Sequence, residues 1–426
     1  MKQFAFMTQP YVKKILILTS GTGLAQAIVF LASPILTRLY TPSDLGVLAV
    51  YLSTLAILAS IGSLQYDYAI LLPDNIKDRA HITVLSFCVL VITVLLTGTL
   101  AALLKDPFTI PDLYVICLPL GLFGIGAFNV LRKWAFRQQL YTAVSQTKVT
   151  NSIGITTIQI AGGFMLKGPL FLLAGDVLGR MIGTFRLMVT IARTDKPHFT
   201  QLSLKQLRHL ASRYKKFPLL SSPSSLTRQV SVELPIILLT LQFGASVTGL
   251  YLLVQRVLGT PLNLIGTSVG NVFYTEASTL FHSEPEKIKP LFLKTIKTLF
   301  LIMTPAMIFI SIVSPWAIPI IFGNEWKQAG IFIPILASMY LFQFVTIPVA
   351  STLLILERQG LQLIREIIRI SFVGGAFIAA NIGGLSIIHT LVVLSIAASC
   401  GFIIHGYISW WALQKDEQNR KHLHHP

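Results

Sequence analysis

Long apolar runs separated by short polar segments make up most of this chain. A run of about 20 residues, coiled as a helix that rises about 1.5 Å per residue, can cross a hydrocarbon core of about 30 Å. Hydropathy, turn residues and charges together predict an all-α integral membrane protein. Its twelve predicted membrane-spanning helices cover 15–38, 45–65, 81–104, 112–131, 144–166, 168–190, 217–242, 246–269, 296–321, 329–356, 366–381 and 385–412.

The Lys and Arg residues between these runs orient the predicted helices. Most of the 34 fall on alternate connections, and the opposite side holds Arg38, Lys105, Lys167 and Lys327. Because basic residues concentrate in cytoplasmic loops, both termini are predicted to be cytoplasmic. The most basic connection separates six spans from six. We therefore predict an N-terminal lobe (1–191), a basic linker (192–216), a C-terminal lobe (217–412) and a polar cytoplasmic tail (413–426).

Composition agrees with a membrane protein and excludes several other classes. The chain is 53% hydrophobic and 12% charged, and 12% is about half the charged fraction of a soluble domain. A net charge of +17 could indicate nucleic-acid binding, but that needs the cations on one face of a soluble fold, and here they lie between apolar runs. The three cysteines lie within apolar runs, so we expect no disulfide, metal site or other cofactor.

A short internal repeat supports the division into two lobes. Residues 36–47 resemble residues 239–250 at a constant offset of 203, with Tyr40 opposite Phe243 and Gly46 opposite Gly249. Each segment lies between the first and second spans of its predicted lobe. A parallel repeat of two lobes is a common design of transporters. The alternative is chance, because Ser and Gly are common turn residues.

The block from residue 33 to residue 73 carries a family resemblance. It contains R-x-Y-T-P-x-D-x-G, from Arg38 to Gly46, and Q-Y-x-x-A-I-x-L-P, from Gln65 to Pro73. With these motifs the block resembles the first helical hairpin of the polysaccharide-flippase family of bacterial cell envelopes. These are the O-antigen and teichuronic-acid type exporters of the multidrug/oligosaccharidyl-lipid/polysaccharide superfamily. Beyond residue 73 the resemblance rests on architecture.

The resemblance implies a transporter of the bacterial inner membrane and not an enzyme. Its expected substrate is an undecaprenyl-diphosphate-linked oligosaccharide, which moves from the cytoplasmic to the periplasmic leaflet for cell-surface polysaccharide biosynthesis. Related members work by alternating access around a cationic central cavity. The resemblance also implies coupling to a proton or sodium gradient, and it makes the polysaccharide polymerase machinery a candidate partner. It supplies no catalytic motif.

Three arginines inside predicted spans are candidates for the central cavity. Arg180, Arg228 and Arg256 all lie roughly 15 to 18 Å along their helices, near the predicted midplane. A charge at that depth costs about 2.5–3.5 kcal/mol, so each is a functional candidate. The planar guanidinium suits a diphosphate because it can bind two phosphate oxygens at once. Arg186 is nearer a helix end and is expected to extend to the interface.

The two deep carboxylates offer alternative roles. Asp176 precedes Arg180 by four residues, so Arg180 could form an ion pair as readily as it contacts substrate. Glu233 follows Arg228 by five residues and therefore does not share its helix face. Asp176 and Glu233 are thus candidates for coupling ions or for ion pairs.

Further candidates are polar or turn-forming residues. Asn263 and Gln26 lie on stripes of small residues, where they could line a cavity or form interhelical hydrogen bonds, while the glycines there favour close packing. At the predicted outer turn, Arg38 and Asp44 are gate candidates, although Asp44 could simply cap the second span. Pro223 belongs to a proline-rich seventh span that could bend as a gate or serve packing alone.

Two other functions compete with flipping. A cation-coupled multidrug exporter of the same superfamily should carry more buried carboxylates than arginines, whereas the deep residues here are three arginines and two carboxylates. A membrane glycosyltransferase or polymerase should carry a long extracytoplasmic loop, and the predicted outer loops are short. An anionic, lipid-linked cargo fits the sequence best.

Overall fold

The computed structural model describes residues 10–105, 111–195 and 202–423. Parts of one predicted outer loop (106–110) and of the predicted basic linker (196–201), and both chain ends, lie outside these residues. Across the described ranges the secondary structure is helical, without strands. The helices are α1 Pro10–Leu39, α2 Pro42–Ile61, α3 Tyr66–Ala69, α4 Ile76–Leu103, α5 Asp112–Arg137, α6 Tyr141–Met165, α7 Leu170–Asp195, α8 Leu204–Arg213, α9 Ser222–Val254, α10 Thr260–Ser283, α11 Ile288–Phe322, α12 Lys327–Thr346, α13 Thr352–Ile355, α14 Gln359–Ile382 and α15 Ile387–Leu423.

Every predicted span overlaps one of these helices, and eight helical stretches are long and apolar enough to cross a membrane. These eight, found among the described residues, are Ile17–Leu39, Pro42–Ile61, Ile76–Leu103, Asp112–Arg137, Phe217–Phe281, Pro285–Phe322, Asn324–Thr346 and Ile387–Gln418. The helices α6, α7 and α14 are absent from them because they carry many hydroxyl, amide and charged side chains. The count of twelve spans stays a prediction.

The two segments of the internal repeat break their helices at the same aligned position. Thr41 caps α2 in an extended conformation (φ −76°, ψ 162°), and its side chain and that of Asp44 form a reciprocal capping box. Asp44 therefore stabilises the start of α2 from the third position of the helix. At the aligned position, 203 residues later, Gly244 interrupts α9 with φ 79° and ψ 179°. Glycine suits this break because that conformation strains other residues.

The chain folds into two compact units, residues 1–233 and 234–426. The division falls within α9 and not in the basic connection from which the lobes were predicted. The start of α9 belongs to the first unit because it contacts the first hairpin there. Gln65 Nε2 donates to Ser225 Oγ at 3.2 Å, and Ser53 Oγ donates to Glu233 at 2.9 Å.

Close helix packing organises the first unit. The helices α6 and α7 approach so closely that a Cβ at Gly179 would lie 2.3 Å from the backbone nitrogen of Ile155. A buried cluster, including Val130, Trp134 and Leu187, connects α5 to its neighbours. Tight contact of this kind through small residues is typical of membrane helices.

The second unit has its own core. Phe273, Phe292 and Leu353 pack together with Ala412 of α15. A Cβ at Gly330 of α12 would lie 2.8 Å from the carbonyl oxygen of Ser314 in α11, so these two helices also meet through a small residue.

Candidate functional site

A polar cavity of about 230 Å³ lies within the first unit. It opens between the C-terminal end of α2, the segment around α3, the second half of α5 and the first turns of α9. Its polar lining includes Gln65, Asp67, Asn129, Arg132, Arg228 and Gln229. Three separate parts of the sequence therefore contribute side chains to one cavity.

An unusual backbone turn places the first wall of this cavity. After α2, Leu64 (φ 47°) and Gln65 (φ 62°) are both left-handed, a conformation that is uncommon for residues other than glycine. The side chain of Gln65 stabilises the turn by donating to the backbone oxygen of Ser60 at 2.7 Å and to Ser225 Oγ. Gln65, the first residue of the Q-Y motif, thus stabilises the turn before α3. Such strain is concentrated at functional sites.

Positive charge exceeds negative charge around the cavity. Asp67 is buried and accepts a hydrogen bond from Ser63 Oγ at 2.7 Å. The adjacent Lys133 is also buried, with its ammonium 3.3 Å from the centre of the Tyr68 ring. Arg132 and Arg228 line the cavity itself. Two cations and one carboxylate therefore line the cavity, with a third cation next to Arg132 in the sequence, an arrangement that attracts an anion.

Arg180 is paired with Asp176. Two parallel hydrogen bonds of 2.8 Å, from Nε and Nη2, join its guanidinium to both carboxylate oxygens. The Asp176 side chain is 5% exposed and that of Arg180 is 25% exposed. Each neutralises the other, so within the candidate arginine layer Arg180 has its charge already matched.

Glu233 is held differently. Ser53 Oγ donates to one carboxylate oxygen and Gln229 Nε2 to the other, both at 2.9 Å. Among the described residues no Lys, Arg or His forms an ion pair with it. A carboxylate with neutral donors alone can bind a proton or a small cation without first breaking an ion pair.

The remaining deep candidates lie in the second unit. Arg256 is half-buried within a π-helical turn, Gln255–Gly259, and Asn263 follows on the exposed face of α10. A Cβ at Gly259 would lie 3.3 Å from the Tyr340 ring, and one at Gly270 the same distance from the Pro348 backbone. These two glycines therefore serve close packing.

The other candidates occupy varied positions in the first unit. Gln26 is half-buried, and its Oε1 is buried without a hydrogen-bond partner among the described residues. Arg38 is exposed in the last turn of α1, beside buried Tyr40, whose hydroxyl donates to the backbone oxygen of Gln159 at 2.6 Å. Pro223 is exposed just after a second π-helical turn, Phe217–Ser221. Such turns often occur at functional sites.

The predicted helix boundaries miss three buried or half-buried charges. One predicted helix ends too early, and another begins too late. The predicted span 112–131 ends before Arg132 and Lys133, but α5 continues six residues further, to Arg137. The predicted span 366–381 begins after Arg365, yet α14 begins at Gln359, and Arg365 is half-buried beside His405. The reason is that a charged residue lowers the hydropathy of a run and so marks the end of a predicted membrane helix. Their spacing of three or four residues from other polar side chains was the available signal.

No group of three or more His, Cys, Asp or Glu side chains that could hold a metal ion occurs in the described part of the chain. The cavity lining combines hydrogen-bonding side chains with two arginines and one carboxylate. Such a site can bind and release an anionic group.

Comparison with known proteins gives related transporters. The succinoglycan biosynthesis transport protein ExoT of Rhizobium meliloti (strain 1021) is 23% identical over 342 residues. The alignment covers 78% of this chain and 66% of ExoT, so the chain spans slightly less than two thirds of that relative's length.

Solved structures share the fold at low sequence identity. The lipid II flippase MurJ in an inward closed conformation superposes with a TM-score of 0.71 at 12% identity, covering 95% of this chain and 87% of that one. An inward-facing multidrug resistance transporter of the MATE family, in the MOP superfamily, gives 0.69 at 14% identity, covering 96% and 99%. The chain therefore has the fold of these multi-pass membrane transporters.

A family described as polysaccharide biosynthesis protein matches residues 35–330, well over half of the sequence. This region includes the end of α1, all of α2, the cavity and the start of the second unit. The chain belongs to this family of polysaccharide biosynthesis proteins.

Proposed function

We propose that this protein flips an undecaprenyl-diphosphate-linked oligosaccharide from the cytoplasmic to the periplasmic leaflet of the bacterial inner membrane. The observation that carries the proposal is the excess of cations around the cavity of the first unit, where Arg132 and Arg228 face a single buried carboxylate, Asp67. The family and the transport relative support a role in polysaccharide export and not in catalysis.

The chemistry of the cavity fits the charged end of such a substrate. Guanidinium groups remain protonated at physiological pH and bind phosphate oxygens in pairs. A volume of about 230 Å³ equals that of roughly seven or eight water molecules in the liquid. That is space enough for a phosphate group. The diphosphate end of the substrate is therefore the part that we propose binds in this cavity.

The proposed transport cycle alternates access between two six-helix lobes. We propose twelve spans with both termini in the cytoplasm, supported by the distribution of basic residues. Breaks at Thr41 and Gly244, which align in the internal repeat, support a duplicated design. Polymerase machinery is the proposed partner on the periplasmic side.

Coupling to a proton or sodium gradient is proposed to use Glu233. Of the two deep carboxylates, Asp176 is neutralised by Arg180, whereas Glu233 accepts hydrogen bonds from neutral side chains. A carboxylate inside the membrane is costly to keep charged, and it therefore tends to bind a proton or a cation.

The proposal is tested by replacing the cationic candidates. Changing Arg228 or Arg256 to Ala should reduce surface polysaccharide strongly while protein levels in the membrane stay normal. For Arg228 we expect a loss of about 10- to 100-fold, because a hydrogen bond to a charged group contributes about 1.5–3 kcal/mol. Surface polymer is measured in a deletion strain complemented by each variant, and polymer at wild-type levels in both would contradict the cationic cavity.

The deletion strain itself separates flipping from drug export. Lipid-linked oligosaccharide should accumulate on the cytoplasmic leaflet when the protein is absent. Unchanged glycans together with raised sensitivity to cationic drugs would instead favour a multidrug exporter. Accumulation of unjoined sugar donors would favour a glycosyltransferase.

A further inference from the structure

The short helix α8, Leu204–Arg213, has two faces of opposite character. One face, with Leu207, Leu210 and Ala211, packs against the other helices of the first unit, and Leu210 is 1% exposed. The other face is exposed and basic. We define the basic surface as Lys205, Arg208 and Arg213 of this helix with Lys215 and Lys216 just after it.

Hydrogen bonds hold α8 firmly at the end of the membrane-spanning helices. The backbone nitrogen of Ser203 donates to His81 Nε2 at 3.1 Å, and Gln206 Nε2 donates to Asp78 at 2.9 Å. Asp78 and His81 lie in the first turns of α4, which is one of the helices apolar enough to cross a membrane. The next such stretch begins at Phe217, directly after the basic surface. The basic surface therefore lies at the level where membrane helices begin.

The charge of this surface is not balanced locally. Residues 202–216 include no Asp or Glu. Asp78, which contacts α8, accepts a hydrogen bond from the neutral side chain of Gln206. Exposed leucines flank the cations, with Leu204 76% exposed before them and Leu219 66% exposed after them. Cations beside exposed leucines are typical of a segment that lies against lipid headgroups.

We propose that the basic surface of α8 binds anionic phospholipid headgroups of the adjacent leaflet. The charge complementarity is direct, since clusters of four or more Lys and Arg next to membrane helices attract anionic lipid. Exposed leucines at both ends can enter the interface between headgroups and acyl chains. The occupant is a phospholipid of the bilayer, and its binding does not depend on the transported substrate.

This lipid site is joined to the cavity through one hydrogen bond. Tyr66 donates from its hydroxyl to the backbone oxygen of Ala211 at 3.1 Å, and burial raises the pKa of Tyr66, so the hydroxyl stays protonated. Tyr66 stands between Gln65 and Asp67, which both line the cavity. A phospholipid that holds α8 in place therefore also supports the wall of the cavity.

The test measures lipid binding to the purified, delipidated full-length protein in detergent. Native mass spectrometry gives the affinity for phosphatidylglycerol and, separately, for phosphatidylcholine. The double variant Lys205→Gln/Arg208→Gln should bind phosphatidylglycerol about 30-fold more weakly, because each cation near the surface contributes about fivefold. The matched control is Lys167→Gln/Lys327→Gln, which removes two exposed cations from predicted outer loops.

The expected result has three parts. Wild type prefers phosphatidylglycerol, the control retains that preference within about twofold, and raised salt weakens wild-type binding far more than binding by the double variant. Unchanged phosphatidylglycerol affinity in the double variant, equal losses in the control, or equal affinity of wild type for both lipids would each overturn the proposal. If the double variant unfolds, Lys215→Gln/Lys216→Gln tests the same surface outside the helix.

Discussion

Two clusters of partly buried charge, one in each unit, differ in how their charges are paired. In the second unit, Arg365 contacts His405 Nε2 at 2.9 Å and Glu366 at 2.6 Å, while Arg369 pairs with the other Glu366 oxygen at 3.1 Å. One carboxylate therefore pairs with two arginines, and the histidine contacts the first of them. Around the cavity of the first unit, Arg132 and Arg228 share the lining with one carboxylate, Asp67, and Lys133 is buried next to Arg132 in the sequence.

This difference teaches which buried arginines are candidates for ligand binding. Depth in the membrane is not enough, because Arg180 and Arg365, whose side chains are 25% and 13% exposed, each form an ion pair with a neighbouring carboxylate. Arg228 lies on a membrane helix and lines an open cavity. A cation contributes to anion binding when no neighbouring carboxylate compensates its charge.

The largest expected effect comes from breaking the network of the second unit. Changing Glu366 to Gln keeps the size of the side chain but leaves two arginines without their shared carboxylate. Removing one member of a buried ion pair typically costs about 3–5 kcal/mol, because the remaining charge is buried and uncompensated. We expect a markedly lower unfolding temperature in detergent and lower protein levels in the membrane.

The control for this change is Glu276→Gln in the same unit, since Glu276 is exposed. It should unfold at the wild-type temperature. If Glu366→Gln were equally stable, the four side chains would not form a closed network, and the contrast between the units would disappear.

Helix positions were predictable from the sequence, whereas the cavity was not. Apolar runs predicted the long helices, because crossing a membrane requires a long apolar segment, but not the short helices α3, α8 and α13. The spacing of Asp176 and Arg180 offered their pairing as one of two alternatives, and the structure shows the ion pair. The cavity, in contrast, needs residues from three separate segments and a turn in which Leu64 and Gln65 are left-handed. No local propensity predicts that conformation for a leucine, since it is stabilised by the contacts of Gln65 with Ser60 and Ser225.

A matched substitution in the first unit should have a smaller effect on stability and a clear one on transport. Glu233→Gln can still accept from Ser53 and leaves no cation without a partner, so the free energy of unfolding should change by less than about 1 kcal/mol. If Glu233 binds the coupling ion, transport driven by a proton or sodium gradient should fall about tenfold or more. Reconstituted vesicles with and without an imposed gradient measure this directly.

Asp176→Asn provides the contrasting control in the same unit. It leaves Arg180 without its carboxylate, so it should destabilise the protein as Glu366→Gln does. Normal gradient dependence in Glu233→Gln would contradict the assignment of the coupling site. Strong destabilisation of Glu233→Gln would indicate that Glu233 is a structural residue like Glu366.

The smallest effect is expected at an arginine that belongs to neither arrangement. Arg186 is exposed on α7, where Nη2 donates to Gln146 at 3.1 Å and Nη1 to Thr150 at 3.2 Å. Arg186→Lys keeps the charge and one such hydrogen bond, so stability should change by less than about 0.5 kcal/mol. Surface polysaccharide should remain within about twofold of wild type.

The informative comparison is Arg228→Lys in the same assay. This change also keeps the charge, but it removes the planar fork that binds two phosphate oxygens together, and an ammonium is not equivalent at such a site. Polysaccharide should therefore fall clearly with Arg228→Lys and stay normal with Arg186→Lys. A strong export defect in Arg186→Lys would show that this exposed arginine takes part in transport, and the distinction between cavity cations and interfacial cations would then have to be redrawn.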